Sequence, residues 1–83
     1  MKLVYFAWVR ERIGKLEETV EPPGHVGTVG ELIGWLRTRG EGYEAALAEP
    51  AAIRVALDRD HAEHDASILG IREVALFPPM TGG

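Results

Sequence analysis

Residues 28 to 36 set the terms for the rest of the chain. Thr28-Val29-Gly30-Glu31 is a capping-box pattern. The Thr28 hydroxyl is placed to accept from the Glu31 amide while the Glu31 carboxylate reaches back. Val29, Leu32, Ile33 and Leu36 follow at i, i+3, i+4 and i+7, the apolar stripe of an amphipathic helix. Trp35 lies about 100° off that stripe and belongs at the edge of the buried face. Gly30 and Gly34 each weaken this helix by roughly 1 kcal/mol relative to alanine, which close approach to a strand would explain. Gly40 and Gly42 are read as its C-terminal stop. Tyr43, Ala46 and Leu47 suggest a second, short helical segment ended by Pro50. A helix with one apolar stripe must bury it against another layer.

That layer is a sheet. Lys2 to Val9 is rich in β-branched and aromatic residues, without Gly or Pro, and reads as a strand apolar on both faces. Arg10-Glu11-Arg12-Ile13-Gly14 fits a short helical turn or loop. Leu16 to Glu21 is a shorter, more polar strand able to pair back as a hairpin, and Pro22-Pro23-Gly24 breaks it. Ala52 to Asp58 alternates, with Ile53, Val55 and Leu57 on one side, as a half-buried strand does. Asp60 to Asp65 is a polar turn with room for one short strand, and Ile68-Leu69-Gly70 is a brief turn. Glu73 to Phe77 is the last strand. The first and last strands are the most apolar, so they are placed at the centre, running parallel, with the helix across one face. This is a β-grasp, ubiquitin-like α+β arrangement: a mixed sheet of four to five strands with one main helix.

The chain leaves this body through Phe77-Pro78-Pro79-Met80-Thr81-Gly82-Gly83. Proline fixes φ and donates no hydrogen bond, so the pair stops a strand and holds the chain extended. From Pro79 onward the reach is roughly 17 Å at full extension. Gly82-Gly83 ends in a carboxylate with no side chains beside it, able to thread a channel where a Cβ would clash. The expected division is a β-grasp domain over residues 1–78 and an extended C-terminal tail over 79–83. Phe77 has two readings of equal weight. It fills the second face of a central strand, or with Met80 it forms an apolar anchor for a partner.

Composition narrows the function. No cysteine occurs, which removes disulfides, thiolate metal sites and cysteine nucleophiles. The net charge of −4 disfavours nucleic acid and anionic membranes as partners, and a basic partner surface suits the chain better. No stretch approaches a membrane span. Met1 to Phe6 lacks the basic flank and cleavage site of a signal peptide, so a cytoplasmic location is expected. His61 and His64, among Asp60, Glu63 and Asp65, are read as a solvated loop, and no metal site is expected. His25 is taken as an exposed loop residue. Ser67, the only serine, makes no convincing triad. Glu17-Glu18 and Glu31 are read as a polar strand face and a cap. Arg10 and Arg12 are read as a solvated charge run. Gly24 to Gly30 lacks the pattern of a phosphate loop.

The chain resembles the small, sulfur-carrier subunit of molybdopterin synthase along its full length. The resemblance is carried by Phe6-Ala7-Trp8-Val9-Arg10-Glu11, Thr28-Val29-Gly30-Glu31-Leu32, Ile53-Arg54-Val55-Ala56 and, most specifically, Glu73-Val74-Ala75-Leu76-Phe77-Pro78-Pro79-Met80-Thr81-Gly82-Gly83. It departs at Asp58, where the family commonly has Asn, and at Ile71-Arg72, where it has Gly-Asp. The resemblance implies a sulfur-donor subunit with no catalytic machinery and no bound cofactor. An activating, ubiquitin-activating-like adenylyltransferase would use ATP and Mg²⁺ to adenylate the Gly83 carboxylate, and sulfide from a sulfurtransferase would convert it to a thiocarboxylate. The tail, with Phe77, Pro78, Pro79, Met80, Thr81 and Gly82 as docking residues, would insert into the large subunit, in a heterotetramer of two small and two large chains. There it would give sulfur to cyclic pyranopterin monophosphate. The alternatives are a protein modifier conjugated to lysines through Gly83, a sulfur carrier for another product such as the thiazole of thiamin, and a binding module with an inert tail.

Overall fold

The first strand, β1 (Lys2–Tyr5), and the last, β5 (Glu73–Phe77), lie side by side and parallel at the middle of the sheet, with Lys2 opposite Glu73 and Tyr5 opposite Leu76. These two come from opposite ends of the sequence and carry the alternation that places Leu3, Tyr5, Val74 and Leu76 on one fully buried face. Outside β1 runs β2 (Glu17–Thr19), antiparallel. Outside β5 runs β3 (Arg54–Leu57), antiparallel, followed by the edge strand β4 (Asp60–Ala62). The order is β2-β1-β5-β3-β4. The fold is the β-grasp arrangement of ubiquitin-like proteins. The computed structural model describes residues Met1–Pro79.

The main helix, α2 (Val29–Arg37), forms as its signals direct. The Glu31 amide donates to the Thr28 hydroxyl at 3.2 Å, and Glu31 Oε1 accepts from the Thr28 and Gly27 amides at 3.1 and 3.0 Å. Val29, Leu32, Ile33 and Leu36 are all fully buried, and Trp35 sits at the edge, partly covered. The Gly30 amide donates to the His64 carbonyl at 2.8 Å, and a Cβ there would stand 3.4 Å from that oxygen. The close neighbour is therefore the loop after β4 and not a strand. Nothing in the structure explains Gly34.

Other expectations are corrected, two of them at helices. The first strand stops at Tyr5, and a helix, α1 (Ala7–Ile13), takes over where the sequence suggests strand up to Val9. It ends on Gly14, which adopts φ 86° and returns its amide to the Arg10 carbonyl at 2.8 Å. The apolar residues beyond Tyr5 that mimic a strand serve α1 instead, and Val9 is buried among the core side chains. The second correction concerns Gly40 and Gly42. The main helix ends at Arg37, and Gly42 lies inside the short helix α3 (Glu41–Ala46). A Cβ on Gly42 would fall 2.6 Å from the Arg12 carbonyl oxygen, so α1 and α3 can touch only through a glycine. Gly42→Ala is therefore expected to destabilise the fold by about 1–3 kcal/mol, against the gain of about 1 kcal/mol that alanine brings to an open helix. Urea unfolding of the variant measures this, and a stabilised variant would contradict the close approach.

The β3–β4 hairpin turns on Asp58 and Arg59, with φ 47° and 74°. Two successive residues in that region make the tight turn whose twist matches the strands, and Asp tolerates it. The Asp58 carboxylate then accepts from the amides of Arg72 and Glu73 at 3.1 and 2.9 Å, which pins the start of β5. Alternation alone assigns Asp58 to the strand itself; the structure moves it into the turn. The helices α1, α2 and α3 all bury residues in the one core beside the sheet. Among the described residues no α-helix covers the other side of the sheet.

Candidate functional site

Strand alternation decides which side chains this helix-free face presents. From β1 come Lys2 and Val4, with Phe6 just beyond its end; from β5 come Glu73, Ala75 and Phe77; from β3 come Arg54 and Ala56; from β4 comes His61. Val4, Ala56, Ala75 and Phe77 are half-buried, and Phe6 is 46% exposed. At the end of β5, Phe77 sits between two rings. Phe6 meets it edge-on at 6.5 Å between centroids with planes at 84°, and His61 at 5.8 Å and 77°. Such edge-to-face contacts hold rings in fixed orientations. The Phe6 amide donates to the Leu76 carbonyl at 3.1 Å, which fixes the ring beside Phe77.

Charges border the patch. Lys2 lies 2.9 Å from Glu17 and 3.9 Å from Glu73 at one end, and the first of these contacts is the main reason its ammonium titrates above the usual lysine range. Arg54, opposite Phe77 in the ladder, stands at the other end. An apolar centre with a charged rim, on a face that no helix covers, has the makeup of a docking surface.

Phe77 is thus neither a core residue nor a free one. It covers the second face of the strand and remains reachable. Pro78 and Pro79 follow it directly, half-buried and outside the ladder, whose last pair is Arg54 with Phe77. The chain therefore leaves the body from the rim of the aromatic patch. Met80, Thr81, Gly82 and Gly83, which the sequence groups with these three, lie outside the described residues. Phe6 and His61 do not stand out in the sequence as site residues. The parallel register contained the signal for Phe6, since pairing Tyr5 with Leu76 places Phe6 beside Phe77. The sequence marks His61 only as a residue of a solvated polar loop, and the structure places it on β4 against Phe77 instead.

The other candidates are dispersed. His61 joins the aromatic patch, while His64 Nε2 lies 2.8 Å from the Ile53 carbonyl, a contact that needs the proton on that nitrogen. Among the described residues no group of three or more His, Asp or Glu is placed to hold a metal ion. Ser67 Oγ accepts from the Leu69 amide at 3.1 Å, a turn contact. Arg12 stacks over Trp8 at 4.5 Å.

Glu18 is the residue that sequence reasoning misses most plainly. It lies at the margin of the core and not on a polar face. Its Oε2 accepts from the Tyr5 and Tyr43 hydroxyls, both at 2.6 Å, and its Oε1 lies 3.3 Å from Lys15 Nζ and from Arg39 Nη1. Burial by itself pushes this carboxyl up, but hydrogen bonds from Tyr43, Tyr5 and Lys15 and the charge of Arg39 together hold it below the usual carboxylate range. Tyr5 is pushed well above an ordinary phenol, first by burial and then by Glu18. Alternation could not reveal this, because Glu17 and Glu18 read alike until partners from β1, α3 and the α2–α3 loop converge on one of them.

No described helix is long and apolar enough to cross a membrane. The family model described as the ThiS family matches residues 3–83. Among solved structures, SAMP1 from Haloferax volcanii superposes with a TM-score of 0.72 at 27% identity, over 100% of this chain and 98% of that one. A putative molybdopterin converting factor, subunit 1, from Pyrococcus furiosus superposes with a TM-score of 0.72 at 25% identity, over 95% of both chains. A second structure from H. volcanii, described as small archaeal modifier protein 1, gives 0.69 at 25% identity, over 96% of this chain and 97% of that one. No curated protein sequence matches.

Proposed function

The chain belongs to the ThiS family and is a ubiquitin-like sulfur carrier, and from that premise we propose that it is the sulfur-donor subunit of a molybdopterin synthase. The observation that carries this reading is the aromatic patch of Phe6, Phe77 and His61 at the root of a Pro-Pro-hydrophobic-Thr-Gly-Gly end. The body docks on the patch, and the tail runs from its rim into the partner. The similarity to a molybdopterin converting factor subunit favours a large synthase subunit as that partner.

The chemistry belongs to the end of the tail. The Gly83 carboxylate is ionised at neutral pH and is a poor electrophile. Its oxygen attacks the α-phosphorus of ATP, held with Mg²⁺ by an activating adenylyltransferase, and pyrophosphate leaves. Sulfide sulfur then attacks the acyl carbon, AMP leaves, and a thiocarboxylate remains on Gly83. That sulfur is nucleophilic without a general base in this chain. It forms a carbon–sulfur bond to the pyranopterin in the large subunit as a carbon–oxygen bond of that substrate breaks. Water then cleaves the acyl–sulfur bond, leaving the sulfur on the pterin and a carboxylate on the tail. Two sulfurs per dithiolene require two loaded tails or two rounds. Cysteine is dispensable because the sulfur rides on the terminus.

Intact-mass measurement tests this directly. Incubation with activating enzyme, ATP, Mg²⁺ and sulfide is expected to add about 16 Da, the exchange of oxygen for sulfur. The likeness to a protein described as a small archaeal modifier favours a second reading, conjugation of Gly83 to lysines. Lysine adducts of high mass with no such gain would select it. The docking role of the patch has its own measurement. Phe77→Ala is expected to weaken binding to the large subunit by about 1–3 kcal/mol. An unchanged dissociation constant with lowered stability would return Phe77 to a purely structural role.

A further inference from the structure

The strands place Lys2 and Arg54 on the helix-free face, and the two cations are treated differently. Lys2, at the end away from the tail, is held by Glu17 and Glu73 at 2.9 and 3.9 Å. Arg54 is exposed and takes part in no ion pair among the described residues. It stands opposite Phe77 in the ladder, where the chain leaves the body. A guanidinium left without a counter-charge at the rim of an apolar patch is one that a partner can complete. Such rim charges direct docking more than they add to its strength.

Arg54 also lines a cavity of about 290 Å³, with His61, Glu63 and His64 and the alkyl surfaces of Ile53 and Ala62. His61 belongs to cavity and patch alike, since its ring meets Phe77 at 5.8 Å. The cavity therefore continues the docking surface from Phe77 toward β4, the edge of the sheet. Its other polar groups are placed differently. His64 Nε2 is engaged with the Ile53 carbonyl at 2.8 Å, and Glu63 lies past the last pair of the β3–β4 ladder. A planar guanidinium with free donors matches a carboxylate, which accepts two parallel hydrogen bonds from it. The chain as a whole carries −4 and favours a basic partner surface. A carboxylate required at one point of such a surface gives the docking a direction.

Resting on the reading that the helix-free face docks on the large subunit, we propose that Arg54 pairs with a carboxylate side chain of that subunit, beside the entrance that takes the tail. The pair fixes which way the face lies on its partner. Phe77 and the two prolines then meet the entrance, and the end marked by Lys2 lies away from it.

Titration calorimetry of the full chain against the large subunit measures the pair. Arg54→Glu is expected to raise the dissociation constant at least about tenfold, and Arg54→Gln about threefold or more. Arg37→Glu makes the same charge change on α2 and is expected to alter binding by less than about twofold. Raising sodium chloride from about 50 to about 500 mM is expected to weaken binding of the native chain more than that of Arg54→Gln. A carbodiimide identifies the partner group. With Arg54→Lys it is expected to join the introduced amine to the carboxylate as an amide, the carbodiimide taking up the water released, in a crosslink that the native chain does not form. Circular dichroism confirms that each variant is folded, and if Arg54→Glu does not fold, Arg54→Gln and the crosslink decide. An Arg54→Glu chain that binds as tightly as the native one or more so, while Phe77→Ala binds more weakly, overturns the proposal and leaves the docking face standing. Loss of binding to the activating enzyme alone assigns Arg54 to that enzyme and equally overturns it. A native chain that binds no large subunit overturns the functional reading, and the pair with it.

Discussion

Removing Gly83 is expected to abolish sulfur transfer and to leave thermal unfolding of the domain unmoved. The deletion places the terminal carboxylate one residue short, a shift of about 3.4 Å along an extended chain. Misplacement of a reacting group by about 1 Å already costs on the order of 10²-fold in rate, so transfer should fall to background. The fold is expected to show no such dependence, since among the described residues the ladder ends at Phe77. Gly82→Val separates reach from fit. It keeps the length and adds a branched side chain where the tail enters the partner, so it should block product formation with the carboxylate correctly numbered. Single-turnover assays with the large subunit, beside melting curves of the free carrier, read both effects. A Gly82→Val carrier that works at normal rate would show that the acceptor channel is wide.

The largest effect on stability is expected at Glu18. Glu18→Ala removes the acceptor shared by the Tyr5 and Tyr43 hydroxyls and the counter-charge of Lys15 and Arg39. Tyr5 is fully buried, and among the described residues Glu18 is the partner of its hydroxyl. Hydrogen bonds to a charged group contribute about 1.5–3 kcal/mol each, so a loss of about 3 kcal/mol is expected, a large share of the stability of a domain this size. The same cluster sets a pH dependence. The carboxyl of Glu18 is held below its usual range in the folded protein, so its contribution is fully present above the unfolded carboxyl value of about 4.3. It is lost as pH falls through the folded value. Denaturant midpoints measured between about pH 7 and pH 3 should decline more steeply for the native chain than for Glu18→Gln. Parallel slopes would remove Glu18 from the account.

The two predictions differ in how much of their basis is legible in the sequence. The tail is an expectation from the sequence alone, because proline restricts and glycine frees the backbone without help from neighbours, and Met80 to Gly83 lie outside the described residues. The main helix is visible in the sequence: Thr28, Glu31 and the stripe from Val29 to Leu36 are local signals, and the structure realises each of them. The parallel pairing of the first and last strands follows from apolarity alone and also stands. The errors fall where a residue's state depends on what comes near it. Phe6 to Val9 has the composition of a strand, yet the main chain turns into α1 at Ala7. Gly42 looks like a helix stop, yet it exists to admit the Arg12 carbonyl.

Sequence by itself determined that this is one main helix laid on a mixed sheet, and that no disulfide or cysteine nucleophile is available to it, since the chain carries no cysteine. These follow from periodicity, backbone restriction and the inventory of reactive groups, all readable one residue at a time. Only the tertiary structure decided that Phe6 and His61 flank Phe77 and that Glu18 is a junction and not a surface charge. Each depends on the pairing of distant strands, because a sheet sets side by side residues that the chain keeps up to 71 positions apart, as it does Phe6 and Phe77.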